Sequence, residues 1–577
     1  MRSQGDLLGD RMCISSKNFH NKYNSEIKCD MNPSTSIGNY LIEKLLECGV
    51  RHAFGVPGDF VLGFDKLLEE SAIEFINTCD EQGAGFAADA YARLRGLGVV
   101  CITYCVGGLK VTNTTAQAFA EKSPVVVISG APGKNERIRN PLLHHKVREF
   151  DTQYKVFQEL TIASTVLDNP NIAFQEIDRV IAAALKYKRP VYIELPRDMV
   201  FVTGNPNYQA VKQPEASHAE VLNEALNEAV TLINNARQPV ILAGVEMNRF
   251  GLQEELLQLV EKTNMPIAQT LLGKSVISEL HPNYIGLYQG AMGQEYTREY
   301  VESSDCLIML GTFLSDINLG IFTADLNPKH SIYVTSEKTS IRWHNYEEIR
   351  LQDFVRGLLA ADIRRRESIV TNPLKIPASF SPISGQPITI ARLFGRLNSF
   401  IDKNTIAIAD VGDALFAGLE LFIHDKSRFV SPAYYASVGF AVPASIGAQF
   451  ANPSLRPLVL VGDGAFQMTG IELSTVVRYG LNPIVIVLNN KGYATERPMR
   501  DGAFNDILNW RYSRITELLG AGLGFEVNTE DELEAALMQS QAYSEGFCIL
   551  DVHLDPQDTS PALKRLSSAL GERIGSQ

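Results

Sequence analysis

The residues with the clearest chemical promise lie in one stretch, GDGAFQMTGIELSTVVRYGLNPIVIVLNNKGYATE, from Gly462 to Glu496. Asp463 offers a hard anionic oxygen and Asn490 a neutral amide oxygen. Gly492, two residues further on, lets the backbone turn and present a carbonyl. Three such oxygens suit an octahedral Mg2+ that keeps its other positions for phosphate and water. The 462–464 loop and a helix starting near Met468 would direct N–H groups at the same place, which favours an anion. Metal and N–H cradle together read as a diphosphate anchored through Mg2+. Either half alone is commonplace, since GDG is usually a turn and Asn-Asn usually a cap. Their joint placement carries the reading.

That placement depends on the flanking elements. Residues 458–461 and 484–488 are short apolar runs, and between them Leu473, Val476 and Val477 share one face of a helical pattern. Strand, helix, strand in that order is a βαβ unit, which puts both strand ends on one edge of a parallel sheet. Asp463 and Asn490, 27 positions apart, then sit side by side. Ligands of open α/β sheets bind at such carboxyl-end edges.

The same alternation runs through the chain. An apolar helix over 37–48 precedes a strand over 52–56; a strand over 99–103 precedes a helix ending at Ala120; a further strand covers 125–129. The second block has strands at 240–243 and 306–310. The pattern predicts three α/β domains with mainly parallel sheets: 35–205, 215–370 and 388–565. Pro-containing linkers join them, a polar extension over 1–34 is expected to be disordered, and 566–577 form a C-terminal tail. An amphipathic pattern over 561–574 and the segment DGAFNDILNW after Glu496 are candidates for closing a site.

Composition excludes several classes. Over 577 residues the net charge is −13, with no basic cluster, which speaks against a nucleic-acid surface. No apolar run approaches the roughly 20 residues that span a bilayer, so no membrane association is expected. Eight cysteines at scattered positions suit reduced thiols in a cytoplasmic protein, with Cys101 and Cys105 as small buried hydrophobes and not zinc ligands.

GDG followed one helix–strand step later by NN is the signature of thiamine-diphosphate enzymes. From residue 36 to residue 563 the chain resembles their 2-oxo acid decarboxylase branch, which includes pyruvate, indolepyruvate and phenylpyruvate decarboxylases. The family order is a pyrimidine-binding domain, a central domain and a diphosphate-binding domain. The resemblance implies thiamine diphosphate and Mg2+ as cofactors, with Asp463, Asn490 and the Gly492 carbonyl on the metal. Gly464 and Ala465 would contact the diphosphate, and Lys491, Tyr493, Ala494 and Thr495 would continue the cofactor wall. In NTCDEQGAGFAADAYAR, Glu81 matches the carboxyl group that bonds a ring nitrogen of the aminopyrimidine and promotes its imino tautomer, whose exocyclic nitrogen is the internal base. The small residues after it, Gly83 to Ala88, suit a helix packed against a cofactor or a partner subunit. In YYASVGFAVPA, Val438 matches the apolar residue beneath the bent cofactor, flanked by Ala436 and Ser437. Asp413, in DVGDALF, aligns where relatives contact the cofactor.

Loss of CO2 leaves an enamine that must be protonated at carbon and released as an aldehyde. In the resembled enzymes an Asp, a His pair and a Glu serve that step. Their matches are Asp59 in GVPGD, His144 and His145 in NPLLHH, and Glu496; Asp59, His145 and Glu496 would also meet substrate. Thr495 stands where small-substrate decarboxylases carry a larger branched residue. The extra room leans toward phenylpyruvate, indolepyruvate or branched-chain 2-oxo acids, with pyruvate as the alternative. An acetolactate synthase-like carboligase shares the fold but does not need the His pair and Glu496. A non-enzymatic sensor of the cofactor would need the anchor alone. The resemblance further implies a homodimer or homotetramer whose active sites are shared between subunits.

Overall fold

The computed structural model describes residues 35–210, 215–367 and 380–566. The 1–34 extension, parts of both linkers and the tail beyond residue 566 lie outside the described residues.

Three sheets organise the chain. The first orders its strands Glu74–Asn77, His52–Gly55, Gly98–Ile102, Val125–Ala131, Val191–Pro196, Ala163–Val166, all parallel. The third orders Phe429–Val430, Thr405–Ala409, Arg456–Gly462, Ile484–Asn489, Cys548–His553, Leu523–Val527, again all parallel. By chain position both read second, first, third, fourth, sixth, fifth, so the two outer lobes share one topology. The middle sheet has seven strands, with Thr339–Ile341 and His344–Tyr346 added antiparallel at one edge. Val125–Ala131 and Ile484–Asn489 are buried throughout, as strands covered on both faces must be.

In both outer sheets the strand order reverses between the first and third strands, where α/β sheets open a crevice. In the C-terminal lobe Asp410 follows one of these strands and Asp463 the other. In the N-terminal lobe the loop carrying Asp59 follows His52–Gly55. Both groups of polar residues therefore lie at carboxyl edges.

The helix expected near Met468 starts earlier. It runs Asp463–Thr469 with Gly462 as N-cap, continues as a 3-10 turn Gly470–Glu472, and resumes as Leu473–Arg478. Gly462, Gly464 and Gly470 had masked the pattern that propensity reads.

The small-residue helix also has an unexpected neighbour. Glu81–Arg95 packs against Ala441–Ala451, a helix of the C-terminal lobe of this same chain. A Cβ on Gly447 would lie 1.8 Å from the Ala87 carbonyl oxygen, so the backbones touch. Arg93 fastens this seam, bonding Asp89 through two nitrogens at 2.8 Å each, Glu121 at 2.9 Å and the Ser431 carbonyl at 2.9 Å. Its guanidinium also lies over Phe440. Cys101 and Cys105 are buried free thiols, as expected of them.

Candidate active site

At the C-terminal sheet edge, strands Arg456–Gly462 and Ile484–Asn489 run in register with Gly462 opposite Leu488. Asp463 and Asn490 emerge together from this pairing. Asp463 is 1 % exposed; its Oδ1 accepts the Gly464 amide at 2.8 Å and its Oδ2 the Gly492 amide at 3.2 Å. Burial pushes its carboxyl up to about 6, against the pull of the backbone N–H groups around it. Asn490 Oδ1 is buried and has no hydrogen-bond partner. A buried carbonyl oxygen left orphaned beside a buried carboxylate is costly unless a cation completes it. The donor set therefore fits a hard divalent metal.

Backbone geometry packs the 491–506 loop closely against that edge. Lys491 adopts a left-handed φ of 64°, and a Cβ on Gly492 would lie 2.1 Å from the Asn505 carbonyl oxygen. A Cβ on Gly464 would lie 2.7 Å from the Tyr493 ring. Arg497 ties the loop down through Asp501 at 2.8 Å and Asp506 at 2.7 Å. Thr495 faces the next strand end, where a Cβ on Gly412 would lie 2.8 Å from its Oγ1. Ala465 and Ala494 are buried beside the metal donors.

The turn carrying Ala436, Ser437 and Val438 is held by a residue the sequence reading missed. Asp410 is fully buried and accepts the Gly439 amide at 3.0 Å and the Ala441 amide at 2.8 Å. Burial raises its carboxyl to about 6. Ala436 adopts a φ of 59°, and Val438 packs against the core from a half-buried position. Ser437 accepts a hydrogen bond from Asn113 of the N-terminal lobe at 2.6 Å. Asp413 is engaged elsewhere: its Oδ2 accepts the Ser560 amide at 2.8 Å and its Oδ1 the Ser560 hydroxyl, tying down the start of the C-terminal segment.

In the N-terminal lobe, Asp59, His144 and His145 come together. Asp59 Oδ2 lies 2.8 Å from His144 Nε2, and the three residues' ligand-type atoms lie within 4.8 Å of one another. Phe60 stacks on His144 with ring centres 4.8 Å apart, and the guanidinium of Arg197 lies over the Phe60 ring at 4.9 Å and 3.8 Å from Asp59 Oδ2. His145 has a φ of 65° and its Nδ1 is buried without a partner. Glu81 opens its helix beside Asp80, the N-cap, and its Oε2 receives Lys110 Nζ at 2.7 Å.

Within one chain these groups are not joined into one hydrogen-bonded set. Among the described residues no hydrogen bond joins Glu81, Asp59, His144 or His145 to residues 463–465 or 490–496. Glu496 is exposed on the C-terminal lobe. From the C-terminal lobe Glu472 reaches the start of the Glu81 helix, its oxygens accepting the Cys79 and Asp80 amides at 3.2 and 3.1 Å.

Comparison with known proteins gives these features a common frame. The family models for the N-terminal, central and C-terminal domains of thiamine pyrophosphate enzymes match residues 35–154, 226–361 and 410–552. The chain is 36 % identical over 533 residues to an indole-3-pyruvate decarboxylase of Azospirillum brasilense, covering 91 % of this chain and 96 % of that one. The chain belongs to the thiamine-diphosphate-dependent 2-oxo acid decarboxylase family. Two other members with which this decarboxylase aligns are a probable pyruvate decarboxylase of Schizosaccharomyces pombe, 32 % identical over 94 % of this chain and 97 % of its own, and pyruvate decarboxylase 4 of Arabidopsis thaliana, 31 % identical over 93 % and 92 %. It is a carboxy-lyase by family, and thiamine diphosphate is its cofactor. Among the described residues no helix is long and apolar enough to cross a membrane.

Lys110, Asp410, Glu472 and Ser560 all bond candidate site residues or the turns that carry them, and were not singled out in the sequence. Lys110, in the turn GGLK, is exposed and reads in sequence as an ordinary surface lysine. The others carry no local signal, because their partners lie far along the chain.

Proposed function

We propose that this decarboxylase converts aromatic or long branched 2-oxo acids to the aldehyde and CO2, with pyruvate as a poorer substrate. The observation that carries the chemistry is the buried pair of Asp463 and the unpartnered Asn490 Oδ1 at one sheet edge. With the Gly492 carbonyl they would hold Mg2+, while Gly464 and Ala465 back the diphosphate. When bound, thiamine diphosphate supplies a nucleophilic thiazolium carbon and a sink for the electron pair left as CO2 departs. Glu81 would hold a proton at the pyrimidine ring nitrogen. Val438, fixed through Asp410, would support the bent cofactor, and Asp413, which holds Ser560, would border it. Asp59, His145 and Glu496 would meet the substrate, and with His144 they would deliver the proton that ends the reaction at carbon.

The preference for larger substrates rests on the short wall where Thr495 meets Gly412. The names of the relatives, indole-3-pyruvate in one and pyruvate in two, agree on a 2-oxo acid without choosing among them. Steady-state assay of pyruvate, branched-chain, phenylpyruvate and indolepyruvate substrates decides. The larger acids should show the higher kcat/KM, and Thr495→Ile should shift the ratio toward pyruvate by about tenfold. Pyruvate as best substrate with an unresponsive Thr495→Ile overturns the preference; acetolactate as the main product from pyruvate overturns the reaction in favour of a carboligase.

A further inference from the structure

The helix Glu81–Arg95 begins with two successive carboxylates, and one lysine faces both. Lys110, on the 3-10 turn Gly108–Val111, donates to Glu81 Oε2 at 2.7 Å and also to Asp80 Oδ2. The other Asp80 oxygen is committed to the helix, accepting the Gln82 amide at 2.8 Å. Glu472, the titratable group that packs here from the C-terminal lobe, spends its oxygens on the Cys79 and Asp80 amides and the Thr475 hydroxyl. Among the described residues Lys110 is thus the one cation in bonding contact with the Glu81 carboxylate.

The opposite oxygen, Oε1, has no hydrogen-bond partner among the described residues. A Cβ on Gly107 would lie 3.3 Å from Glu81 Oε1, so a glycine there spares it a neighbour. A glutamate at a helix end has three rotatable side-chain bonds, and the rotamer freedom it keeps must be lost when it meets a ligand. A charge-assisted bond to one oxygen removes much of that freedom beforehand and turns the other oxygen in one direction.

We infer that Lys110 is a positioning residue: it grips Glu81 Oε2 so that Oε1 is presented to the pyrimidine ring nitrogen of thiamine diphosphate. The inference rests on the proposed role of Glu81 and adds the group that aims it.

Calorimetric titration of the cofactor-free full chain with Mg2+ tests it. Thiamine diphosphate is compared with an analogue whose pyrimidine ring nitrogen is replaced by CH, so that the affinity ratio reads the Glu81 bond alone. Glu81→Gln should cut the wild-type preference for thiamine diphosphate. Lys110→Met should cut it by about tenfold, Lys110→Arg should restore it to within about threefold, and affinity for inorganic diphosphate with Mg2+ should stay unchanged throughout. A preference kept in Lys110→Met but lost in Glu81→Gln overturns the role of Lys110 and leaves that of Glu81 standing. A preference kept in Glu81→Gln overturns the reading of Glu81 itself. Equal weakening of inorganic diphosphate in Lys110→Met, or no rescue by arginine, shows a merely structural lysine and also overturns the inference.

Discussion

Asp463 carries a raised pKa of about 6 because its carboxylate is buried, with only peptide N–H groups to offset lost hydration. For a carboxyl raised in the folded state, the associated stability is present below the ordinary carboxylate range and lost as pH climbs through about 6. A bound cation reverses the balance, since it takes only the ionised form. Affinity for thiamine diphosphate with Mg2+ should therefore be level above about pH 7 and fall by about tenfold per unit below about pH 6. Asp463→Asn should lose both the pH dependence and the response to Mg2+. Calorimetry across that range checks both, and a flat wild-type profile would mean that Asp463 does not meet the metal. Asn490→Ala should weaken the metal response alone, without moving the pH midpoint.

At the scale of elements, the contact between Glu81–Arg95 and Ala441–Ala451 sets how the N- and C-terminal lobes meet. Gly447 is the position with no slack, because the atom a Cβ would strike is backbone, the Ala87 carbonyl, and cannot rotate away. Gly447→Ala should force the helices apart and lower stability by about 3 kcal/mol or more, read as a lower thermal midpoint. Gly395→Ala, in helix Ile390–Asn398 with nothing within 4 Å of the added carbon, is the matched control. It should be neutral or slightly stabilising, by at most about 1 kcal/mol. Equal effects of the two substitutions would show that the seam is softer than its geometry implies. The helix pattern over 37–48 and the strands around 240 and 306 were legible in sequence, because their apolar periodicity is uninterrupted. The helix at Asp463 was misplaced by five residues because glycines at its start and end hide the same periodicity.

At the scale of the molecule, buried ion pairs bind the lobes. Lys122 of the N-terminal lobe reaches the buried Glu246 at 2.6 Å and the exposed Glu337 at 2.9 Å in the central lobe, and the buried Lys274–Glu279 pair of the central lobe bonds the Leu421 carbonyl at 2.8 Å and the Ile423 amide at 2.9 Å in the C-terminal lobe. Among the described residues no hydrogen bond joins Glu81, Asp59 or the His pair to the Asp463–Asn490 edge within one chain, and this is the ground for proposing an active dimer with shared sites. Glu81→Gln and Asp463→Ala should each be inactive alone. Co-refolded in equal amounts they should regain up to about a quarter of wild-type turnover, since half the dimers are mixed and one site in each mixed dimer is intact. No recovery on co-refolding or co-expression would argue for sites completed within a single chain.

The sequence by itself determined the local chemistry and the class of fold. The GDG and NN motifs end two apolar strands of one βαβ unit, and that short-range order suffices to bring Asp463 and Asn490 to one edge. It also sufficed for the Asp59 loop and the His pair as separate pieces. Only the tertiary structure decided which partner each group takes. Asp410 holding the Val438 turn, Asp413 held by Ser560, Glu472 capping the Glu81 turn and Lys110 gripping Glu81 all join segments distant in the chain, where periodicity is silent. The shared strand order of the outer lobes is hidden for the same reason: hydrogen-bonded neighbours in a parallel sheet are chosen by long crossovers, and many sequences satisfy the same crossover.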